Sequence, residues 1–452
     1  MRNKFLLSFV AAGLAGCTGV LDVPPTSSVP SEVAISDAAG ARSALTGAYA
    51  GLQNGSYYAE TFVDWVELLS DNARHTGTFD DYKDADQYQM RADNISVGLM
   101  WNDIYDAINR ANELIEKVPN ITGMEDAEKN EILGEAYFLR ALHYHNIVKL
   151  WGGAPLRLAP AKTPDEAGTI SRSSTAETYA QILADLSQAE QLITAGKSQT
   201  RQASLGAAYA LEARVRLYQS DWAKAEAAAA KVEAMGYALA PNFSDLFDAT
   251  GNNTPEDIFR ITFTPTQKNF LAVYYLPKGL AGRFEVGPTI TAGGSVAAFD
   301  PASGGDINLY NPTDKRGIWS IAKSGTRAYI AKFRNPAGDE DLHVIRLGEV
   351  ILIRAEALAQ LGRLPEAVAE YNRLRVRAGL APDPTTGLTQ PAVLAAIARE
   401  RRLELAFEGD RWPDLVRTGT ATQLGVPAQQ QLLPIPQSEI DVARNLTQNP
   451  GY

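Results

Sequence analysis

The chain has 452 residues, of which 45% are hydrophobic and 21% are charged, a balance typical of a soluble globular protein with a large core. With 42 Lys and Arg against 53 Asp and Glu, its formal net charge is −11. It lacks the basic field that attracts polynucleotides, so we expect no nucleic-acid partner. A single cysteine excludes both an intramolecular disulfide and a metal site made of cysteines alone.

The first residues have the features of a secretory leader. Two basic residues precede an apolar run over 5–14, which is too short to span a bilayer as a helix. Small residues then lead to Cys17 in the order Leu-Ala-Gly-Cys, which resembles the lipobox of a bacterial lipoprotein. We therefore predict a signal peptide over 1–16, lipid attachment at Cys17 and a Pro- and Ser-containing tether over 17–31.

Helical periodicity dominates the rest of the chain. Apolar residues recur at steps of three and four over 99–150, which predicts a pair of helices. Two later segments, 205–235 and 346–378, align on paired small residues that are twelve positions apart. These pairs are Ala213 with Ala225 and Ala355 with Ala367. The spacing resembles tetratricopeptide repeats, and coincidence within Ala-rich helices is the alternative.

Two inserts interrupt the helical pattern. We expect a single body with three parts, a helical half over about 32–240, a loop-rich insert over about 241–341 and a helical part over about 342–452. The insert is rich in Gly, Pro, Asn and Thr, and the runs 258–263 and 272–276 in it resemble strands. A second insert, 70–96, is dense in Asp, Tyr and Arg. Long loops on a helical scaffold carry function more often than stability.

Signatures of catalysis and metal binding are missing from the sequence. It contains no G-x-G-x-x-G, Walker A, H-E-x-x-H or G-x-S-x-G motif. On a helix, His143 and His145 would point about 200° apart, so they cannot share a metal, and we expect packed or half-exposed positions for both. The acidic run 80–86 fails the spacing of a calcium loop because Gln89 stands where Gly is required. We interpret that run as a solvated loop and predict no enzyme, no metal and no cofactor.

The most distinctive segment is 399–417, which reads RERRLELAFEGDRWPDLVR. It resembles the C-terminal signature of the SusD/RagB family of outer-membrane nutrient-binding lipoproteins. Agreement with the family extends to the lipobox, to the helix around Trp101 and Asn112, and to the tail that ends Gln-Asn-Pro-Gly-Tyr. Within the signature, glutamates at 400, 404 and 408 share one helix face and repel unless Arg401, Arg402 or Arg411 neutralises them. We interpret this charge network as structural.

The resemblance implies a mainly α, tetratricopeptide-like body with loop-rich, partly β inserts that form a ligand surface. Family members sit as lids over TonB-dependent channels of the SusC type, so the implied role is capture of a nutrient, foremost an oligosaccharide, at the cell surface and its delivery to that transporter. An aromatic content of 8% is low for a glycan binder, so a peptide or another oligomer stays open. A glycoside hydrolase and a scaffold for protein partners alone are the alternative functions.

A sugar has an apolar face and a rim of hydroxyl groups, so aromatic rings and planar polar groups bind it. We expect the insert 70–96 and the region 283–329 to converge on one exposed patch of such groups. The candidate ligand-binding residues are Arg74, His75, Tyr82, Tyr88, Arg283 and Trp319. Each would place a flat or forked group at the tip of a long loop, and ordinary packing is the alternative for each.

The lipobox yields a first prediction. Replacing Cys17 with Ser should leave an uncleaved or soluble form, because serine cannot carry the lipid. Intact-mass measurement of the membrane fraction distinguishes the processed chain from the uncleaved one. A mature wild-type chain that still begins at Met1 would contradict the assignment.

Overall fold

The computed structural model describes residues 31–161, 170–194, 201–247, 253–292, 307–443 and 445–452. The predicted signal peptide and the lipid attachment site Cys17 lie outside the described residues. Within these ranges, no helix is both long enough and apolar enough to cross a bilayer.

Helices account for most of the ordered elements. They are α1 (Ser31–Ala34), α2 (Ala38–Ala50), α3 (Thr61–Leu68), α4 (Asp80–Asp86), α5 (Ile95–Lys117), α6 (Asp126–Trp151), α7 (Thr175–Leu192), α8 (Leu205–Tyr218), α9 (Trp222–Ala234), α10 (Leu271–Tyr275), α11 (Lys315–Ser320), α12 (Leu347–Gln360), α13 (Leu364–Arg377), α14 (Gln390–Leu405), α15 (Arg411–Arg417) and α16 (Gln437–Val442). The strands are β1 (Ala73–His75), β2 (Asp257–Ile261), β3 (Val286–Pro288), β4 (Ile290–Ala292), β5 (Ile307–Tyr310), β6 (Ile321–Ser324), β7 (Arg327–Ile330) and β8 (Leu342–Arg346).

The helical-hairpin array is confirmed. Helix α5 packs on α6, α6 on α7, α8 on α9 and α12 on α13, and α9 also packs on α12. The four alanines that defined the repeat spacing are fully buried, which lets the paired helices approach closely. The two hairpins turn at Ser220 and Gly362, whose φ angles of 57° and 79° lie in the left-handed region.

The strands form short two-stranded sheets outside the helical array. Strands β1 and β3, β2 and β8, and β6 and β7 pair antiparallel, whereas β4 and β5 pair parallel. The strand prediction for 258–263 is confirmed in part by β2, but the prediction for 272–276 is wrong because this run forms helix α10. Asn269 lies two residues before that helix, and its side-chain oxygen accepts the Leu271 N–H at 2.9 Å while its amide donates to the Glu340 carbonyl at 2.8 Å.

The insert 70–96 is more regular than the sequence indicated. Its acidic run forms helix α4 instead of a solvated loop. The Asp81 carboxylate accepts a hydrogen bond from Ser96, and the Asp84 carboxylate accepts one from the Asn94 amide at 3.3 Å, so α4 is fastened to the start of α5. The expectation of packed histidines is confirmed in α6, because His143 and His145 are fully buried.

The charge network of the C-terminal signature is present, but its partners differ from those predicted. Glu404 on α14 contacts Arg346 at 2.6 Å, Arg316 at 3.5 Å and Arg377, all from other elements. Arg401 instead pairs with Asp410 at 2.6 Å. Successive helical residues are turned by about 100°, so Arg401 cannot face the same side as the glutamate that precedes it.

Burial and nearby charges shift the pKa values of Glu404 and Glu408 in opposite directions. Burial alone would raise the pKa of Glu404, but Arg377, Arg346 and Arg316 hold it well below its ordinary value. For Glu408, burial is likewise outweighed by Arg346 and Lys332, and the pKa falls to about 2. Both groups are therefore ionised, and their contribution to stability is lost only as the pH falls below the ordinary glutamate range.

Removing one charge from this network should be costly. We expect Glu404→Gln to lower the free energy of unfolding by about 3–5 kcal/mol, because three buried guanidinium groups would lose a shared counter-ion. Urea titration at pH 7 measures the change. Glu366→Gln is the control, since the Glu366 and Arg363 side chains are both exposed and solvent screens such a pair, so this variant should unfold as the wild type does. Equal effects of the two substitutions would contradict the interpretation.

Candidate ligand-binding site

The two inserts meet at the antiparallel pair formed by β1 and β3. Arg74 is opposite Gly287 and His75 is opposite Val286. The pairing continues at one end, where the Thr76 N–H donates to the Glu285 carbonyl at 2.9 Å. The insert 70–96 and the start of the region 283–329 are therefore joined through their backbones.

A buried carboxylate holds the turn after β1. Glu285 is only 3% exposed, and its side chain accepts the Thr78 N–H at 2.7 Å. A Cβ atom on Gly77 would lie 1.7 Å from a Glu285 carboxylate oxygen and 2.7 Å from the Glu285 Cα. Because the backbone is that close, only glycine fits at position 77. The turn that leads to Phe79 is thus fixed by Glu285 from the loop-rich insert 241–341.

Three aromatic rings and one arginine cluster beside this turn. The rings of Phe79, Tyr82 and Tyr274 meet edge to face, with centroids 5.5 to 6.3 Å apart. The Arg283 guanidinium lies over the Phe79 ring at 4.6 Å and the Tyr274 ring at 5.6 Å. Its Nε is 3.6 Å from the Glu285 carboxylate, and 49% of the Arg283 side chain is exposed. The guanidinium is therefore oriented yet open to solvent.

Beneath the rings, Glu60 accepts hydrogen bonds from both tyrosines. Tyr82 Oη donates to its carboxylate, and the Tyr274 hydroxyl group is a second partner. Burial raises the pKa of Glu60 to about 7, although both hydrogen bonds lower it. Burial also raises the pKa of Asp64, one turn further along α3, well above its ordinary value. A partly protonated acid thus supports the aromatic cluster near neutral pH.

Three predicted site residues lie at this junction. Arg74 and His75 are half-buried on β1, and Arg283 is exposed above the rings. Burial lowers the pKa of His75, and its Nε2 is buried without a hydrogen-bond partner among the described residues. We call Arg74, His75, Phe79, Tyr274 and Arg283 the ligand patch.

Four of the six predicted site residues lie in helices or strands and not at loop tips, contrary to expectation: Arg74 and His75 on β1, Tyr82 on α4 and Trp319 on α11. Tyr82 is on α4 and only 2% exposed, because its ring completes the aromatic cluster and its hydroxyl group reaches Glu60. Tyr88 follows α4 with a φ of 55°, and its ring stacks on Trp412 with centroids 6.1 Å apart. Tyr82 supports the ligand patch from below, whereas Tyr88 packs against the C-terminal signature.

The remaining candidate, Trp319, lies on α11 beside the β6–β7 hairpin. Its ring is half-buried, and the Arg334 guanidinium covers one face at 3.6 Å while donating to the Trp319 carbonyl at 2.7 Å. Strand β7 packs beside β3, so this hairpin borders the ligand patch. The covered face of Trp319 is not open for stacking.

Four members of the site escaped the sequence analysis, namely Glu60, Phe79, Tyr274 and Glu285. Phe79 is a flat group inside the predicted insert and could have been selected on that ground. Tyr274 was hidden in a run that resembled a strand, and Glu60 and Glu285 each accept a hydrogen bond from a residue more than 20 positions away.

The ligand patch combines a cationic group with aromatic rings. It offers the exposed guanidinium of Arg283, flat rings and a carboxylate that orients this guanidinium. In the part of the chain that the structure describes, no group of three or more His, Cys, Asp or Glu side chains is arranged to hold a metal ion.

Comparison with known proteins identifies the class. The profile of a family described as starch-binding and associating with the outer membrane matches residues 20–217, and the profile of the SusD family matches residues 317–452. The fold and both profiles define a helical-repeat protein of the SusD type. The chain belongs to the SusD family, and the recognition made from its C-terminal signature is confirmed.

Individual relatives are similar to this chain along most of their length. The SusD-like protein P38 of Formosa agariphila is 29% identical over 94% of this chain and 92% of its own. The starch-binding protein SusD of Bacteroides thetaiotaomicron is 27% identical over 73% and 74%. Among solved structures, a SusD superfamily protein of Bacteroides vulgatus superposes with a TM-score of 0.81 at 22% identity, covering 92% of this chain and all of that one. A laminarin-binding SusD-like protein gives 0.78 at 25% identity with the same coverage.

The position of Glu60 predicts a pH effect on stability. Its pKa is about 7 in the folded protein against an ordinary 4.5, so its contribution is complete below pH 4.5 and is lost as the pH rises through 7. In the wild type, this loss should lower the free energy of unfolding between pH 5 and pH 8. In Glu60→Gln, the decrease over the same pH range should be smaller by on the order of 1–3 kcal/mol. Urea titrations at several pH values measure this difference.

Asp93→Asn is the matched control, because the Asp93 side chain is 69% exposed. A plot of its unfolding free energy against pH should run parallel to that of the wild type. Parallel profiles for both variants would show that Glu60 does not titrate differently in the folded and unfolded states.

Proposed function

We propose that this protein is a surface-anchored binding protein that captures an oligosaccharide at the ligand patch and does not cleave it. Membership of the SusD family supports this role. A relative with 27% identity is named a starch-binding protein, and a structural neighbour is described as laminarin-binding. Glucans are therefore the ligand class to test first.

The observation that carries the proposal is the exposed guanidinium of Arg283, whose central carbon lies 4.6 Å from the centre of the Phe79 ring and 5.6 Å from the centre of the Tyr274 ring. Glu285 and the two rings restrict its orientation, so little side-chain entropy is lost when it donates to sugar hydroxyl groups. The ring edges beside it offer apolar contact for the C–H face of a sugar. Arg74 and His75, on the paired strand, add further polar groups at the same junction.

Delivery to a transporter completes the proposal. Lipid on Cys17 would hold the protein at the outer membrane, and a partner TonB-dependent barrel of the SusC type would receive the ligand. The outer-membrane description of the profile that matches residues 20–217 supports this location. A permanent complex of this kind buries on the order of 2,000 Å² or more.

Binding is tested by calorimetry against laminarin and starch oligosaccharides. We expect Arg283→Ala and Tyr274→Ala each to weaken the affinity by about 1–3 kcal/mol, because each removes a contact at the centre of the patch. Tyr274→Phe keeps the ring and should retain most of the affinity. Melting temperatures measured on the same samples separate lost contacts from lost folding.

Arg363→Ala is the matched control for Arg283→Ala. Arg363 is also an exposed arginine beside a glutamate, but it lies at the turn between α12 and α13. It should leave both affinity and stability unchanged. If Arg283→Ala and Tyr274→Ala both keep the wild-type affinity, the oligosaccharide binds elsewhere on the protein. If the wild type releases shorter glycans, the protein is a hydrolase.

The partnership is tested by mild detergent extraction of native membranes. We expect the protein to co-purify with a large outer-membrane barrel without crosslinker, since permanent interfaces survive extraction. Patch variants such as Arg283→Ala should co-purify equally well if binding and docking use different surfaces. Recovery of the wild type only as a free monomer would contradict the partnership.

A further inference from the structure

A second open pocket lies away from the β1–β3 junction. It is formed by α5, the segment 155–161 and α16, and it has a volume of about 240 Å³. Its polar and aromatic lining consists of Trp101, Asn102, Tyr105, Asn109, Arg157 and Glu439. These are the side-chain types that recognise hydroxyl groups.

Hydrogen bonds fix one wall of this pocket to α5 and α6. Tyr105 Oη donates to the Pro155 carbonyl at 2.8 Å, and the Ala161 N–H donates to the Asn109 side-chain oxygen at 3.0 Å. Between them, the Arg157 carbonyl accepts from Asn112 at 2.9 Å and from Tyr144 at 2.7 Å. The backbone of Arg157 is thus held independently of its side chain.

The opposite wall is α16, which carries Glu439. The Gln437 N–H donates to the Ala92 carbonyl at 2.8 Å, so the start of α16 is attached to the segment that precedes α5. Hydrogen bonds within the protein therefore hold both walls of the pocket, which limits the entropy that binding would cost.

Opposite charges line this pocket without pairing with each other. Arg157 and Glu439 are both half-buried, and both act electrostatically on the Tyr105 hydroxyl group. The Arg157 guanidinium is 5.9 Å from the centre of the Tyr105 ring. Among the described residues, neither side chain forms an ion pair within 4.0 Å. A ligand with both donors and acceptors can bridge groups that are too far apart to bond directly.

We propose that this pocket is a second carbohydrate subsite that takes a single sugar unit through its hydroxyl groups. The inference rests on the proposed glycan binding. Arg157 and the free amide hydrogens of Asn109 donate, Glu439 accepts, and Asn102 does both. Trp101 is only 2% exposed and Tyr105 is half-buried, so the rings are walls and not a stacking platform. The half-buried charges keep part of their hydration, so an uncharged ligand suffices.

Ligand-observed NMR with glucose, galactose, mannose and xylose tests the subsite on the purified protein. We expect monosaccharide binding to persist in Arg283→Ala and to weaken at least tenfold in Arg157→Ala and in Glu439→Gln, because charged hydrogen bonds are lost. Arg363→Ala is the control and should bind as the wild type does. Melting temperatures should be unchanged, since the backbone of Arg157 makes the structural contacts.

Three results would overturn the inference: no monosaccharide binding by the wild type, loss of binding in Arg283→Ala alone, or displacement of the sugar by glycine at equal concentration, which would indicate a site for a zwitterion. Calorimetry with oligosaccharides separates these results from a failure of the proposed function. If oligosaccharide affinity still depends on Arg283, the ligand patch stands without the second subsite. If no oligosaccharide binds at all, the proposed function itself fails.

Discussion

The buried ion network around Glu404 is the constraint on which the rest of the structure depends. It joins α14 to β8 through Arg346, to α13 through Arg377 and to α11 through Arg316. Removing one partner from such a network leaves an uncompensated charge in the interior, so the network is stable only when all its elements are in place. Three helices and one strand that are distant in sequence therefore assemble together, because the charges of the C-terminal signature must match partners across the fold.

The same signature fixes the base of the ligand patch. Arg411 donates to the Asp71 carboxylate at 2.8 Å, and Arg402 contacts the same carboxylate at 2.9 Å and the Asn72 side chain at 2.9 Å. Burial would raise the pKa of Asp71, but these two arginines lower it, so the carboxylate stays ionised. Asp71 and Asn72 directly precede β1, and the Asn72 carbonyl accepts the Thr289 N–H at 2.9 Å. The structural network thus positions a binding surface without lining it.

Periodicity predicted the helical array because its signal is local. Ala213 and Ala225 could be recognised as a close-packing pair from their spacing, and both are fully buried. The structure of the inserts was harder to predict, because it depends on partner residues that sequence spacing does not reveal. The run that became α10 has strand-like composition, and the first N–H of that helix is bound by the Asn269 side chain, which lies outside the run. The arginines that neutralise Glu404 come from β8, α11 and α13, so no pattern within 399–417 could have identified them.

Helix α5 relates the two proposed binding sites to each other. At its start, Ser96 bonds to Asp81 on α4, the helix that carries Tyr82 beneath the ligand patch. At Tyr105 it forms a wall of the second pocket, and these two positions are about 14 Å apart along the helix axis. Because α5 packs on α6 in the centre of the array, neither site can shift along it without disturbing the core. A helix that packs on the array therefore constrains the distance between the two proposed sites.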